Sequence, residues 1–95
     1  MARYHKGRRF EYRVKRHLER QGYVVFRCAA SRPVDLIALK PGKPPLLVEC
    51  KYGTGRLTGP DRRALLELAR RAGARALLAR NDGRRIVLEE VEQGF

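Results

Sequence analysis

Phe10, Val14 and Leu18 recur at i, i+4 and i+8 among arginines and lysines. This spacing predicts an amphipathic helix from about Tyr4 to Gln21, with Gly22 as its stop. The run Tyr23 to Cys28 is β-branched and aromatic and reads as a strand. Two more short apolar runs follow, Pro33 to Leu39 and Leu46 to Lys51, joined by Lys40-Pro-Gly-Lys-Pro-Pro45. Both are too short and too β-branched for helices, so they read as an antiparallel hairpin. The glycine-rich stretch Tyr52 to Pro60 reads as a mobile loop. Thr58-Gly-Pro-Asp61 carries a capping-box pattern with an early proline and predicts a second helix. Leu65, Leu68, Ala69 and Ala72 supply its apolar stripe, and Gly73 ends it. Strands Ala74 to Arg80 and Arg84 to Val91 are joined by the turn signal Asn81-Asp82-Gly83. The order αβββαββ predicts an α/β fold, a mixed sheet with helices packed against it.

The hairpin carries three charges where core strands have none. Alternation puts Asp35 on a face with Ile37 and Leu39, and Glu49 and Lys51 on a face with Leu47. If the pairing closes so that Lys40 faces Pro44, Ile37 faces Leu47 and Asp35 faces Glu49. Like charges opposite one another on a sheet are destabilising, so a cation or a proton must relieve the pair. Carboxylate oxygens are hard ligands suited to Mg²⁺, and an adjacent lysine stabilises charge on a phosphate oxygen. In outline this is a site for phosphodiester hydrolysis; the competing assignment is an exposed hairpin end with an ordinary Glu-Lys ion pair. At about 100° per residue Glu11 lies near the azimuth of Val14 and Leu18, where it either meets a partner at the core edge or pairs with Lys15 at i+4. Arg27 ends its strand near Asp35, and Ser31 lies in the connecting loop. Both residue types hold phosphate oxygens, although Ser31 equally fits a hydroxyl capping a turn.

Composition narrows the partner. The 95 residues hold 22 basic and 10 acidic side chains, a formal charge of +12, and most of the bases are arginine, whose planar fork suits phosphate. Arg3 to Arg27 holds nine bases against Glu11 and Glu19, whereas the chain's end is acidic at Glu89, Glu90 and Glu92. That asymmetry points to a binding face for a polyanion. The length suits one domain spanning residues 1–95. No run approaches the roughly 18 apolar residues of a membrane span, and the N-terminus has charge without the apolar segment of a signal peptide. The expected location is the cytoplasm, with no membrane partner. Cys28 and Cys50 match neither a zinc ligand set nor a disulfide-rich secreted domain and read as small buried residues.

Taken together, Lys6-Gly7, Glu11, Gly22, Arg27 to Ser31, Val34-Asp35-Leu36-Ile37-Ala38 and Glu49-Cys50-Lys51 resemble the archaeal-type Holliday junction resolvases of the PD-(D/E)xK nuclease superfamily. The resemblance covers roughly the first two-thirds of the chain. It implies a restriction-endonuclease-like core and an endonuclease that resolves four-way DNA junctions with paired nicks. It implies Mg²⁺, with Mn²⁺ as an acceptable substitute, held by Asp35, Glu49 and the Cys50 backbone carbonyl. Glu11 completes the carboxylate cluster, as a further ligand through water or a second ion. Lys51 acts at the attacking water or the strained phosphate, and Arg27 and Ser31 match positions that handle the scissile phosphate. The expected DNA contacts are Arg3 in the N-terminal arm, Lys6, Arg8, Arg9 and Arg13 with the first helix, Arg32 ahead of the hairpin and Arg56 in the glycine-rich loop. That loop and the arm from Met1 to Gly7 are the candidates for tracking branched double-stranded DNA. A homodimer is expected, with Leu66, Leu68, the final strands and Phe95 as its patch. The second helix departs from the family by offering leucines and alanines where members can present larger aromatic residues. Competing readings are another PD-(D/E)xK repair or restriction-like nuclease, and a non-catalytic basic nucleic-acid binder. Asp35, Glu49 and Lys51 weigh against the binder, which gains nothing from carboxylates near phosphates.

Overall fold

The computed structural model describes residues 2–29 and 33–92, with side chains from residue 6 onward. Its elements run α1 (Ala2–Arg20), β1 (Val24–Arg27), β2 (Leu36–Leu39), β3 (Leu46–Lys51), α2 (Gly59–Ala72), β4 (Arg75–Asp82) and β5 (Arg85–Glu90). This is the expected αβββαββ order. The strands form one sheet in the order β1-β2-β3-β4-β5. All neighbours are antiparallel except β3 and β4, because α2 carries the chain back across the sheet before β4 begins. Among the described residues no helix is long and apolar enough to cross a membrane.

Helix α1 lays Phe10, Val14 and Leu18 on one face of the sheet, against Val25, Leu36, Ala38, Leu46, Val48, Leu77 and Ala79. Helix α2 covers the other face with Leu65 and Ala69, against Val34, Leu47, Ala76, Leu78 and Val91. β3 is central, and its Leu46, Leu47 and Val48 are buried on both sides. Glycines end both helices in the same way. Gly22 and Gly73 sit at φ 97° and 63°, and the next residues return N–H bonds to the last turn, Tyr23 to Leu18 at 3.1 Å and Ala74 to Ala69 at 2.8 Å. This is the Schellman pattern, open to glycine because the left-handed conformation crowds a Cβ. At the start of α2, Thr58 Oγ1 accepts the Asp61 N–H at 3.2 Å.

The hairpin register is the expected one, with Ile37 opposite Leu47. It is set by a turn in which the Lys43 N–H reaches the Lys40 carbonyl at 3.1 Å, with Pro41 and Gly42 in the places a type II turn requires.

Five expectations need correction. α1 begins at Ala2 rather than Tyr4, so the supposed arm is helical from residue 2. β4 continues through Asn81 to Asp82, which pairs with Arg85 and leaves Gly83 and Arg84 as the loop; Gly83 alone takes the positive φ, 61°. The α2 stripe is narrower than its sequence suggests: Leu65 and Ala69 are buried, but Leu68 is 40% exposed and Ala72 lies outside the core, because the helix sits over β3 and β4 and its far flank overhangs. The loop after β3 is tied down: the Gly53 N–H donates to Asn81 Oδ1 at 2.7 Å, Arg80 donates to the Gly55 carbonyl at 3.3 Å, and the Tyr52 ring packs 5.6 Å from that of Phe10. Cys28 and Cys50 are free thiols and half-buried rather than buried, each at the margin of a core cluster.

Candidate active site

The acidic residues meet where the strands run out. The Asp35 N–H bonds the Val48 carbonyl and the Asp35 carbonyl accepts the Cys28 N–H, both at 2.8 Å. Asp35 is thus clamped between β1 and β3 just before β2. Its Oδ2 accepts the Cys50 N–H at 2.7 Å, so a side chain continues the β2–β3 ladder where the backbone leaves it. Extending the Leu36–Val48 pairing by one residue sets Asp35 across from Glu49, and the two carboxyl groups share a hydrogen bond.

Glu49 is the buried charge of this site, 6% exposed. Burial first, then the hydrogen bond to Asp35 and the charge of Asp35, push its carboxyl up to about 8, against the opposing Lys51 ammonium. Lys51 Nζ lies 3.6 Å from Glu49 Oε2. Glu11 comes from α1 on the neighbouring side, and its carboxyl is raised first by burial and then by Asp35. Arg27 Nε donates to Glu11 Oε1 at 3.0 Å, which decides between the two assignments open to Glu11. Lys15 instead pairs with Glu19 at 2.7 Å. The Arg27 guanidinium also lies 5.2 Å over the Tyr12 ring, a cation–π contact that adds to its fixed orientation. Burial, followed by the Asp35 charge, raises the Cys28 and Cys50 thiols, which keeps both protonated and unreactive.

Two carboxylates and a backbone carbonyl are hard donors, and the raised Glu49 carboxyl marks a site that a divalent cation relieves. The residues fit such an ion as a partial set only: among the described residues no three His, Cys, Asp or Glu side chains form a ready-made cage. A divalent ion held there would need further oxygen donors besides these residues.

The expected DNA contacts do not form one face. Lys6, Arg8 and Arg9 are exposed. At 3.6 residues per turn Lys6, Arg9 and Arg13 share one flank of α1, and Arg8 lies on the other flank with Glu11. Arg8 is near enough to pull the Glu11 carboxyl down in part. Arg13 turns away from the acids, donates to the Arg84 carbonyl and covers the Phe10 ring at 5.8 Å. Arg56 is exposed in the tied loop. Ser31, Arg32 and the side chain of Arg3 lie outside the described residues. Sequence reasoning missed Tyr12, Asn81 and Arg80, which act through neighbours 15 or more positions away, where only the tertiary fold links them.

The family model for the archaeal Holliday junction resolvase (Hjc) matches residues 2–93. A stretch of 48 residues is 50% identical to the crossover junction endodeoxyribonuclease Hjc of Methanocaldococcus jannaschii. That stretch is 50% of this chain and 35% of the relative, so the match spans about a third of the relative's length. The fold is similar to that of Archaeoglobus fulgidus Hjc, a Holliday junction resolvase from an archaeal hyperthermophile, with a TM-score of 0.80 and 27% identity over 95% of this chain and 79% of that one. The mixed five-strand sheet between two helices is therefore the restriction-endonuclease-like fold of the resolvases. With that sheet, an acidic pair at its end and a family match over nearly the whole length, the chain belongs to the archaeal Holliday junction resolvase (Hjc) family.

Proposed function

We propose that this chain is a structure-selective endonuclease that resolves four-way DNA junctions by metal-dependent phosphodiester hydrolysis, acting as a homodimer in the cytoplasm. The observation that carries the reading is the Asp35–Glu49 pair beside Lys51: a buried carboxyl raised to about 8 by burial and a second carboxyl, with an ammonium 3.6 Å away. A protein that only binds DNA has no use for that cost.

Asp35, Glu49 and the Cys50 backbone carbonyl are the residues to hold Mg²⁺ or Mn²⁺. When bound, the ion supplies Lewis-acid stabilisation of phosphate charge and makes the attacking water more acidic. Lys51 gives its cation to the oxygen that gains charge in the transition state, so it acts on rate more than on affinity. Glu11, held by Arg27, orders water at the edge of the pair, and the Arg27 guanidinium is assigned to the scissile phosphate by its match to the family. Ser31 is assigned to the same phosphate by its match to the family.

The test is a cleavage assay on a four-way junction, a linear duplex and a single strand, with and without Mg²⁺. The wild-type chain is expected to cut the junction alone, only with Mg²⁺, by paired nicks in opposing strands. Asp35→Asn is expected to lose cutting while binding the junction as well or better, since it removes a charge that repels phosphate. Lys51→Ala is expected to lower single-turnover rate by orders of magnitude at unchanged affinity. Equal cutting of linear duplex would promote a general repair or restriction-like nuclease, and binding without any cutting would leave a basic nucleic-acid binder.

A further inference from the structure

Three arginines from separate parts of the chain converge on the β4 side of Lys51. Arg56 from the loop after β3, Arg62 from the start of α2 and Arg80 from β4 line one cavity of about 530 Å³, with Thr54, Leu57 and Glu89. Glu89 is the single carboxylate in that wall. It lies 3.6 Å from Arg80 Nε and its side chain is 52% exposed, so it neutralises little. Among the described residues no ion pair engages Arg56 or Arg62. The anchors are backbone carbonyls instead: Arg62 donates to that of Glu92, and Arg80 to that of Gly55 at 3.3 Å. Such bonds fix two guanidiniums in place; among the described residues that of Arg62 has no ion pair, and that of Arg80 meets only the exposed Glu89. A concave wall with a surplus of fixed positive charge focuses field on an anion, and the guanidinium fork matches phosphate geometry.

The cavity is also in line with the acidic site. Arg80 stands beside Lys51 in the parallel register of β3 and β4, about 4.8 Å away at the backbone and on the same face of the sheet. Thr54 and Arg56 follow Lys51 in the chain. A DNA strand with its cleaved phosphate at Lys51 therefore has this cavity directly beside it.

We propose that Arg56, Arg62 and Arg80 form a second phosphate subsite, which grips a phosphodiester flanking the one that is cut. The inference rests on the nuclease reading and deepens it by stating where the strand continues.

The test measures binding to a four-way junction in chelator, over a range of salt, for the wild-type chain and for the double variant Arg56→Ala, Arg62→Ala. Arg80 is left in place because it also tethers the loop. The variant is expected to bind on the order of tenfold more weakly, with a log-affinity against log-salt slope shallower by about two. The pair Arg56→Lys, Arg62→Lys is expected to keep the slope and lose part of the affinity, which separates charge from misfolding. Next, a neutral methylphosphonate replaces each phosphate flanking the mapped cut in turn. Wild-type binding is expected to weaken at one of the two positions, and the alanine variant to be insensitive there. An unchanged slope, or an equal methylphosphonate penalty in both proteins, overturns the subsite. If the wild-type chain binds junctions but cuts no DNA, the nuclease reading fails, and the salt slope still decides the cavity.

Discussion

Glu49 is where burial and charge act hardest against each other. An ordinary glutamate titrates near 4.5, and this one is pushed up to about 8. Between those values the folded chain keeps a proton that the unfolded chain has released, so stability falls as pH rises through that window and is lowest above it. The raised Glu11 carboxyl works in the same direction. The melting temperature of the metal-free protein is therefore expected to fall between about pH 5 and pH 8.5, and Glu49→Gln, neutral throughout, to flatten that decline while abolishing cutting. Added Mg²⁺ is expected to recover the loss in the wild-type chain and not in the variant, by binding the folded state alone. A wild-type melting temperature that rises across the window would remove Glu49 as the strained member of the pair. At this scale Asp35, Glu49 and Lys51 are legible in the sequence, because charges inside apolar runs stand out against alternation. The Glu11–Arg27 bond is not, since its partners lie 16 positions apart and a nearer lysine competes on paper.

Among the elements, the ends matter more than the spans. β3 delivers Glu49, Cys50 and Lys51 to the sheet's end, and the loop that follows inherits its position from β4 through the Gly53–Asn81 bond of 2.7 Å. Asn81→Ala leaves that N–H without its acceptor, at a cost of about 1 kcal/mol. Faster amide exchange at Gly53 and a several-fold lower cleavage rate are expected, since Lys51 sits two residues upstream. Exchange and rate both unchanged would show that the tether does not hold the site. The sequence misplaces this region for one reason. Asn81-Asp82-Gly83 is read as a turn, whereas the structure keeps Asn81 in β4, its amide donating to the Gly83 carbonyl of the turn and its Oδ1 accepting from another loop. The helix stops, by contrast, are local chemistry: Gly22 and Gly73 close their helices with bonds made within a few residues.

At the scale of the whole molecule, α2 spans β3 and β4, so among the described residues no helix lies above the α2-side face of β1 and β2. Val24, Phe26 and Leu39 are exposed there, and Val24 and Leu39 stand opposite each other. Leu68 overhangs from α2 on the flank away from β5, at 40% exposure. We place the proposed dimer contact on this area, in preference to Leu66, which is half-buried against the core, or Phe95, which lies outside the described residues. Two identical sites related by a two-fold axis match a junction that must be nicked twice. Light scattering at micromolar concentration is expected to report twice the chain mass, and Phe26→Asp to report the single mass with its fold retained by circular dichroism. A dimer that survives Phe26→Asp would move the contact elsewhere.

The order of elements, the helix caps, the hairpin register and the out-of-pattern charges Asp35, Glu49 and Lys51 were determined by the sequence alone. Each follows from a period of 2 or about 3.6 residues, a left-handed glycine or a charge out of pattern, all of which act over a few positions. Tertiary structure decided which long-range partners those residues meet. It joined Glu11 to Arg27, split the basic helix between the acidic site and the Arg84 hairpin, brought Arg56, Arg62 and Arg80 to one cavity and, among the described residues, left no helix above the α2-side face of β1 and β2. These outcomes depend on strand order and on how far a helix reaches across a sheet. No local pattern carries either, because both are set by packing the whole chain at once.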